Sequence, residues 1–298
     1  MTKFYSHGKL LLTGEYLVLD GAKALAIPTK FGQSLEVNSN SSKNIAWKSL
    51  DHEGKIWFED IFSINTKVPS DFNLISNRLQ GIFNVIKELN PDILNQGYSF
   101  VSQLEFPQDW GLGSSSTLIN NLATWADINS YELLEKSFGG SGYDIACAQN
   151  SNPITYQLGD KKRTISPASF APSFSDNLYF VHLNQKQDSR EGITNYNSKK
   201  GNIAEEIEEV NKITDTVISC SSLEEFNFLI EKHEQIISYI LDQETVKNRL
   251  FSDFKGSIKS LGAWGGDFIL ITSNNNPRLY FKDKGYETII PYNEMVLN

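Results

Sequence analysis

The order of hydrophobic and polar positions along the chain predicts a mixture of strands and amphipathic helices. Short apolar runs, continuous or alternating and bounded by polar, Gly or Pro positions, are typical of strands. Such runs lie at 9–13, 17–19, 24–28, 31–37, 45–47, 55–58, 98–106, 154–158, 163–165, 178–183, 268–272 and 286–290. Apolar positions with helical spacing lie at 71–89, 118–126, 131–138, 143–148, 203–217 and 223–241.

Residues at the ends of these runs support their assignment to strands and helices. Asn90-Pro91 ends the first helix, and Ser222 followed by Glu225 has the character of a capping box. The short apolar run 17–19 is expected to be a second buried strand after a tight turn. The segment 166–176 is rich in Ser, Pro and Ala, so we take it as the boundary between two lobes, 1–170 and 171–298.

Composition and charge narrow the class of protein. The 298 residues, of which 40% are hydrophobic and 21% charged, suit one large globular domain or two of ordinary size. The net charge of −9 argues against a general nucleic-acid binder but leaves room for a local basic pocket. Two cysteines, Cys147 and Cys220, fit a reducing compartment. The N-terminal residues Met1 to Gly8 lack the apolar core of a signal peptide. No apolar run approaches the ~20 residues that span a bilayer. We therefore expect a cytoplasmic protein without nucleic-acid or membrane partners, either a monomer or a homodimer.

The segment from Trp110 to Thr117 is the first candidate for chemistry. It follows the strand-like run at 98–106 and precedes the helical run at 118–126, so a Gly/Ser turn opens a helix. Glycines let the backbone approach a ligand closely, and the first N–H groups of a helix, with its dipole, bind anions. Serine hydroxyls add donors or a metal ligand. The alternative is a glycine turn followed by a serine that only caps the helix.

Two further glycine turns lie at 139–142 and 262–266. Two charged residues each stand at the start of a predicted element, close to a glycine. Lys9 begins the first strand, and Asp144 opens the helix after the first of these turns. Phosphoryl transfer needs backbone N–H groups for phosphates, a cation, a ligand for Mg²⁺ and a carboxylate near the attacking hydroxyl. The chain lacks the G-x-x-x-x-G-K-[ST] loop and the H-R-D and D-F-G motifs, so it is neither an ordinary P-loop enzyme nor a protein kinase.

Four segments in order resemble the motifs of the GHMP kinases, the family named for galactokinase, homoserine kinase, mevalonate kinase and phosphomevalonate kinase. They are His7-Gly8-Lys9-Leu10-Leu11-Leu12-Thr13-Gly14-Glu15-Tyr16, Gly111-Leu112-Gly113-Ser114-Ser115-Ser116 with Pro107 ahead of it, Gly140-Ser141-Gly142-Tyr143-Asp144-Ile145-Ala146, and Lys259-Ser260-Leu261-Gly262-Ala263-Trp264-Gly265-Gly266-Asp267. They span nearly the whole chain. The resemblance implies an α+β, two-lobed GHMP kinase-like fold, with an N-terminal ATP-binding lobe over 1–170 and a C-terminal ferredoxin-like lobe over 171–298.

The resemblance also implies roles for individual residues. Asp144 matches the aspartate that accepts the proton from the substrate hydroxyl or orients that hydroxyl, and Lys9 matches the lysine near it and the transferred phosphoryl group. The residues that match the ATP-binding positions are Gly111, Leu112, Gly113, Ser114, Ser115, Ser116, Gly262, Gly265 and Gly266. Those assigned to the substrate are Glu15, Ser141 and Gly142. Taken alone, Lys9 suits a surface lysine, Asp144 a charge that complements a helix dipole and Glu15 a turn carboxylate.

The Mg²⁺ ligands and one departure from the family pattern follow from the same resemblance. Ser115 matches the magnesium-binding serine. The second ligand is a glutamate on the helix before the Ser-Gly segment, for which Glu132 and Glu135 are candidates and Glu135 is our choice; the alternative for both is a solvated helix face. Trp264 stands where the family typically has glycine, so its indole must point away from the turn or narrow the pocket.

The motif character is closest to that of mevalonate and phosphomevalonate kinases. This implies an ATP- and Mg²⁺-dependent kinase for a small acidic metabolite, mevalonate or phosphomevalonate, in isoprenoid precursor synthesis. Lys30, Lys186 and Arg190 are candidates for binding the acidic group, although the segment 184–190 also suits a solvated polar loop. Two alternatives remain open: a non-catalytic homologue that binds nucleotide or ligand, and a diphosphomevalonate decarboxylase.

Overall fold

A computed structural model describes residues 1–63, 73–159 and 162–297. The strands are β1 (Thr2–Thr13), β2 (Ala24–Asn40), β3 (Asn44–Leu50), β4 (Ile56–Ser63), β5 (Gly97–Leu104), β6 (Ile154–Leu158), β7 (Arg163–Pro167), β8 (Leu178–His182), β9 (Ile258–Ser260), β10 (Phe268–Thr272) and β11 (Ile289–Pro291). The helices are α1 (Leu74–Leu89), α2 (Ser114–Ala126), α3 (Ser130–Ser137), α4 (Tyr143–Ala148), α5 (Ser189–Lys199), α6 (Ala204–Ser219), α7 (Leu223–Leu241), α8 (Val246–Leu250), α9 (Arg278–Asp283) and α10 (Tyr292–Met295). Two short 3₁₀ helices cover Leu17–Asp20 and Ser175–Asn177.

These elements form two compact units, neither of which is one continuous segment. The first unit consists of Met1–Gly8, Phe31–Gln108 and Gly113–Gln149. The second unit consists of Lys9–Lys30, Asp109–Leu112 and Asn150–Asn298. The predicted boundary between lobes at residues 170 and 171 stays a prediction.

The first unit is built on a sheet with the strand order β4-β3-β5-β2. Strands β3 and β4 form a hairpin, and β5 pairs parallel to β3 and antiparallel to the second half of β2. Trp47 lies opposite Phe100 in register, and their rings stack at a centroid distance of 5.5 Å. Trp125 of α2 meets Phe100 edge-on at 4.8 Å. This aromatic packing fixes α2 against the sheet, because large rings contribute much buried apolar area and prefer offset or edge contacts.

The second unit contains a four-stranded antiparallel sheet with the order β11-β8-β10-β9. Helices connect β8 to β9 and β10 to β11, which makes a β-α-β-β-α-β arrangement. The predicted ferredoxin-like arrangement is therefore confirmed for this sheet. Every residue of β10 is buried, as expected for a central strand covered on both faces. The last residues of β1, the start of β2 and the hairpin of β6 and β7 also lie in this unit.

Most of the predicted elements are present, and one is wrong. The run Leu17–Leu19, predicted as a strand, lies in a 3₁₀ helix. Gly14 and Tyr16 have φ values of 87° and 58°, which turn the chain so that Val18 N–H donates to Gly14 O at 2.9 Å. A short apolar run is compatible with any buried element, so the pattern alone could not exclude a helix here.

The ends of several elements differ from the prediction in smaller ways. The predicted start of the first helix at Asp71 lies outside the described residues, and Asn73 caps α1 by accepting two N–H groups. The polar segment 184–190 leads into α5, capped by Asp188, which the sequence did not predict. Ser222 caps α7 by accepting the Glu225 N–H at 3.1 Å, as predicted. No helix in the described part of the chain is long and apolar enough to cross a membrane.

Candidate functional site

The Gly/Ser turn of the first unit opens α2 with a glycine cap. Gly113 is the N-cap residue, in the left-handed conformation with φ 88°, and it has no side-chain cap. The first helical hydrogen bond is donated by the Thr117 N–H to Gly113 O at 3.0 Å. The N–H groups of residues 114–116 therefore lie in the first turn, where a helix has no carbonyl partners for them. The alternative of a serine N-cap is wrong, because the serines are inside the helix and their N–H groups point out of its positive end.

Buried polar contacts hold this helix end in place. Thr117 Oγ1 donates to Gln33 Oε1 at 2.6 Å, and Gln33 Nε2 donates to Ser102 Oγ at 2.8 Å. Asn121 Nδ2 donates to Gln33 O at 2.9 Å. These hydrogen bonds link α2 to β2 and β5 and fix the first turn of α2 in the absence of a ligand. An anion site requires such preorganisation.

The predicted catalytic aspartate lies in the same unit. Asp144 is in the first turn of α4, whose N-cap is Gly142 with φ 86°. Helix α4 packs against α2. A Cβ at Gly139 or Gly140 would meet no described atom within 4 Å, so the turn before α4 borders open space. Ser141 is buried beside it. The structure thus packs α2, which the serine turn opens, against the helix of Asp144 within the first unit.

The predicted catalytic lysine lies in the second unit, in β1. Lys9 is 8% exposed, although a lone lysine at a strand end suits the surface. Its Nζ donates to Gly111 O at 3.1 Å, and its main-chain N–H donates to Leu112 O at 3.0 Å. The ammonium is therefore fixed on the turn 109–112, which leads directly into Gly113 along the chain.

The third glycine turn, 262–266, is anchored by the residue that departs from the family pattern. Trp264 is 4% exposed, and its indole Nε1 donates to Glu234 Oε1 at 3.1 Å. Its main-chain N–H donates to the Tyr16 hydroxyl at 3.0 Å, and Tyr16 stacks on Tyr196. The indole lies in a core cluster of the second unit, so it points into the protein and leaves the glycines of the turn uncovered by its ring.

Asp267, at the end of this turn, was not singled out by the sequence. It has a φ of 51°, uncommon outside glycine, and it is 8% exposed. Its Oδ1 accepts the Gln187 N–H at 3.2 Å, and a Cβ at Gly111 would lie 2.3 Å from its Oδ2. Burial raises the pKa of Asp267, while the Gln187 N–H and the charges of Lys9, His182 and Lys186 oppose that rise.

Glu15, predicted to contact the substrate, lies in a buried ionic cluster of the second unit. Lys259 Nζ donates to Glu15 Oε1 at 2.5 Å, to Glu234 Oε1 at 3.3 Å and to Ser260 O at 2.8 Å. The side chains of Glu15, Glu234 and Lys259 are at most 3% exposed. Burial raises the pKa of Glu15 to about 7 against the opposing charge of Lys259, and it also raises the pKa of Glu234. The partners of the Glu15 side chain among the described residues are Lys259 and His233, both inside the protein. Its contact with a substrate stays a prediction.

His233 completes this cluster as a neutral side chain. Its Nε2 accepts the Gly14 N–H at 2.9 Å, and burial followed by the charge of Lys259 lowers its pKa well below the usual value. Glu15 Oε2 lies 3.3 Å from the same nitrogen and has no other hydrogen-bond partner among the described residues. With one of the two carboxyls protonated, Lys259 and the remaining carboxylate form a balanced pair, as burial of charge requires.

No family model matches the sequence, and no curated protein matches it. Solved structures do match. Mevalonate kinase of Methanococcus jannaschii has a TM-score of 0.70 at 18% identity, over 97% of this chain and 96% of that one. Phosphomevalonate kinase of Streptococcus pneumoniae has a TM-score of 0.71 at 16% identity, over 97% and 99%. Galactokinase of Lactococcus lactis has a TM-score of 0.68 at 12% identity, over 94% and 87%.

The chain has the fold of the GHMP kinases. The α+β fold expected from the four motifs is confirmed, and it extends over nearly the whole chain. Identities of 18% and below show the fold alone.

Within this GHMP fold, the donors for a magnesium ion are few. Ser115 is exposed on the first turn of α2, and Glu132 and Glu135 are exposed on α3. The described ranges contain no group of three or more His, Cys, Asp or Glu that could hold a metal. Mg²⁺ commonly keeps waters and takes most of its remaining ligands from bound phosphates. The residues therefore fit an ion that would arrive with a nucleotide, and Ser115 and Glu135 as its ligands both stay predictions.

The three candidates for an acidic substrate group differ in their surroundings. Lys30 Nζ donates to Asn293 O at 2.7 Å, so it is tied to the main chain. Arg190 is exposed in the first turn of α5. Lys186 lies next to the third glycine turn, since a Cβ at Gly266 would lie 2.9 Å from Gln185 O, and its charge acts on Asp267. Of the three, Lys186 is the one that the structure brings to a motif turn.

Proposed function

We propose that this protein is an ATP-dependent phosphotransferase that phosphorylates a small acidic metabolite, with mevalonate or phosphomevalonate as the preferred acceptor. The observation that carries the proposal is the open N-terminus of α2, glycine-capped and anchored through Thr117, packed beside the helix that bears Asp144. The second unit contains a buried lysine, Lys9, whose ammonium is bonded to the turn that precedes this helix in sequence. A phosphate-binding helix end, a cation and a carboxylate are the parts that phosphoryl transfer needs.

The residues have separate tasks. ATP would supply the phosphoryl group, and Mg²⁺ bound with it would neutralise phosphate charge. The N–H groups of residues 114–116 would hold phosphate oxygens at the positive end of α2. Lys9 would stabilise negative charge on the transferred group. Asp144 would accept the proton that the attacking hydroxyl loses, a task for a positioned carboxylate.

The choice of acceptor rests on charge and on the nature of the structural neighbours. The Streptococcus pneumoniae phosphomevalonate kinase was solved with phosphomevalonate and AMPPNP, a nucleotide analogue, and it matches 97% of this chain. Lys186 beside the third glycine turn favours an acceptor with an acidic group. A sugar kinase is the second candidate, because the galactokinase of Lactococcus lactis matches with a similar score.

The other two alternatives have less support from the site. An indole that filled the turn at Trp264 would favour a non-catalytic homologue, but this indole is bound to Glu234 in the core. Lys9 and Asp144 are both present at their motif positions. A decarboxylase would need the same nucleotide site, and it is distinguished by its product.

The test is ATP consumption by the purified protein with mevalonate, phosphomevalonate, diphosphomevalonate, homoserine and galactose in parallel. We expect acceptor-dependent ADP formation with mevalonate or phosphomevalonate. Galactose-dependent turnover would select the sugar kinase, and release of carbon dioxide from diphosphomevalonate would select the decarboxylase. Nucleotide binding without turnover on any acceptor would leave the non-catalytic homologue and overturn the proposal.

A further inference from the structure

The main chain of Asp267 is held firmly at a strained position. Its φ of 51° lies in the left-handed region, which a side chain with a Cβ adopts at some cost. Asp267 N–H donates to Gln185 O at 2.7 Å, and Asp267 O accepts the Leu183 N–H at 2.8 Å. Two bonds to the segment after β8 therefore fix this residue where the third glycine turn enters β10. A strained residue that is fixed in this way is typical of functional sites.

The side chain of Asp267 connects two of the glycine turns. Oδ1 accepts the Gln187 N–H at 3.2 Å, which orients the carboxylate. Oδ2 would lie 2.3 Å from a Cβ at Gly111 and 3.7 Å from one at Gly262. The carboxylate thus occupies the space that any side chain at position 111 would need, and it packs directly on the backbone of the turn 109–112.

That turn is the one on which Lys9 rests. Lys9 Nζ donates to Gly111 O at 3.1 Å, and the charge of Lys9 stabilises the Asp267 carboxylate. His182 Nε2 lies 3.1 Å from Asp109 O and supports the other end of the turn. The ammonium of Lys9 and the carboxylate of Asp267 therefore share one support, Gly111, and attract each other across it.

We propose that Asp267 is a positioning residue for phosphoryl transfer, which fixes the Gly111 turn and the Lys9 ammonium that this turn holds. The inference rests on the proposed function, since it gives Lys9 a task in catalysis. Asp267 is buried and bonded to main-chain N–H, so it acts through Lys9 and does not itself transfer a proton. Its removal would release Lys9 from its place while leaving the serine turn of α2 unchanged.

The first experiment compares D267N with D242N. Asp242 has nearly the same φ, 48°, and caps α7 in an exposed position away from the turns, so it controls for an aspartate in the left-handed region. In D267N we expect kcat to fall by about 10–100-fold, because a small displacement of a catalytic group costs this much. The Kd for ATP and the acceptor KM should change by less than about threefold. A D267N enzyme with unchanged kcat would overturn the inference.

The second experiment does not depend on activity. The rate at which an amine-specific reagent labels Lys9 is followed by peptide mass spectrometry in the wild type, D267N and D242N. We expect faster labelling of Lys9 in D267N and the wild-type rate in D242N. Equal rates in all three proteins would overturn the inference even if no acceptor is ever phosphorylated. Failure of the wild type to turn over any acceptor, with fast labelling in D267N, would instead sink only the proposed function.

A third variant serves if D267N does not fold. G111A places a methyl group where Oδ2 lies, so the carboxylate must move aside. We expect the same rise in Lys9 labelling from G111A, and less additional effect of G111A in a D267G background, because the clash is then gone. Independent, additive effects of G111A and D267G would contradict a direct contact.

Discussion

The start of α2 and the cluster around Lys259 both carry polar groups of the motif segments, but these groups face a ligand surface in the first and the protein interior in the second. At the start of α2 the N–H groups of residues 114–116 have no helical partner, and Ser115 is exposed. Around Lys259, Glu15 and Glu234 are buried and bonded to the same ammonium. Donors left without partners at a preorganised surface can bind a ligand, whereas removing one partner of a buried charge pair destabilises the fold.

This contrast separates two meanings of a family motif. Ser115 and Glu15 both match family positions, yet only the serine is exposed to a ligand in the described structure. Activity should therefore depend most on the exposed groups, and stability on the buried ones. The following variants test that division.

The largest effect is expected from D144N. The amide keeps the shape of the carboxylate but cannot accept the proton, so kcat should fall by about 10²–10⁴-fold. Binding of ATP, measured by calorimetry, should remain, because the phosphate donors are on α2. Transfer that survives in D144N would show that another group is the base.

The next largest effect is expected from K259M, on stability. Removing the ammonium leaves Glu15 and Glu234 buried without their counter-charge, which costs about 3–5 kcal/mol. Urea unfolding followed by circular dichroism measures the loss. The matched control is K247M, since Lys247 pairs with Glu231 in a half-exposed position where the cost should stay below about 1 kcal/mol. Equal stability of K259M and K247M would contradict the structural role of the cluster.

A smaller effect is expected from E15Q, on the pH dependence of the free energy of unfolding. The folded-state pKa of Glu15 is raised from 4.5 to about 7, so its contribution to stability is complete below pH 4.5 and is lost as the pH rises through 7. The glutamine in E15Q does not titrate, so the stability of this variant does not fall in the same way. Between pH 5 and 8 the stability of the wild type should therefore fall relative to E15Q by about 1–3 kcal/mol.

The variant E244Q, at an exposed glutamate, is the control for that experiment. His233 has the opposite sign, because its lowered pKa makes stability rise with pH up to about 6.5, its unfolded-state value. It is present in all three proteins, so the difference between variants isolates the carboxylate. Parallel pH profiles for E15Q and the wild type would contradict a raised pKa at Glu15.

The smallest effect is expected from S115A. Loss of one exposed hydroxyl should change stability by less than about 0.5 kcal/mol. It should raise the Mg²⁺ concentration that gives half-maximal activity by about tenfold, as loss of a metal-site partner commonly does. S198A, at an exposed serine of α5, should change neither quantity. A wild-type magnesium response in S115A would remove Ser115 as a ligand.

The parts of the fold that the sequence predicted are those encoded locally. The cap at Ser222 and the apolar spacing of α7 lie within one segment, and so do the glycines and serines that open α2. Turn and cap preferences of single residues are enough to place such features. They gave the order of elements and the position of the candidate phosphate site.

The parts that it could not predict depend on contacts between distant positions. Glu15, Glu234 and Lys259 meet only in the folded chain, and nothing in their separate surroundings distinguishes a buried pair from a surface charge. The direction of the Trp264 indole was set by Glu234 and Tyr16, both far away in sequence. The position of the Asp267 carboxylate against the Gly111 backbone also depends on residues far apart in sequence.

The proposed phosphotransfer is tested most directly by phosphorus NMR of the reaction products. Wild-type protein is incubated with ATP, Mg²⁺ and either mevalonate or phosphomevalonate, with D144N in parallel. We predict a new phosphate resonance on the acceptor, equal in amount to the ADP formed, in the wild type and its near absence in D144N. No phosphorylated acceptor, or the same amount of it from D144N, would contradict the account.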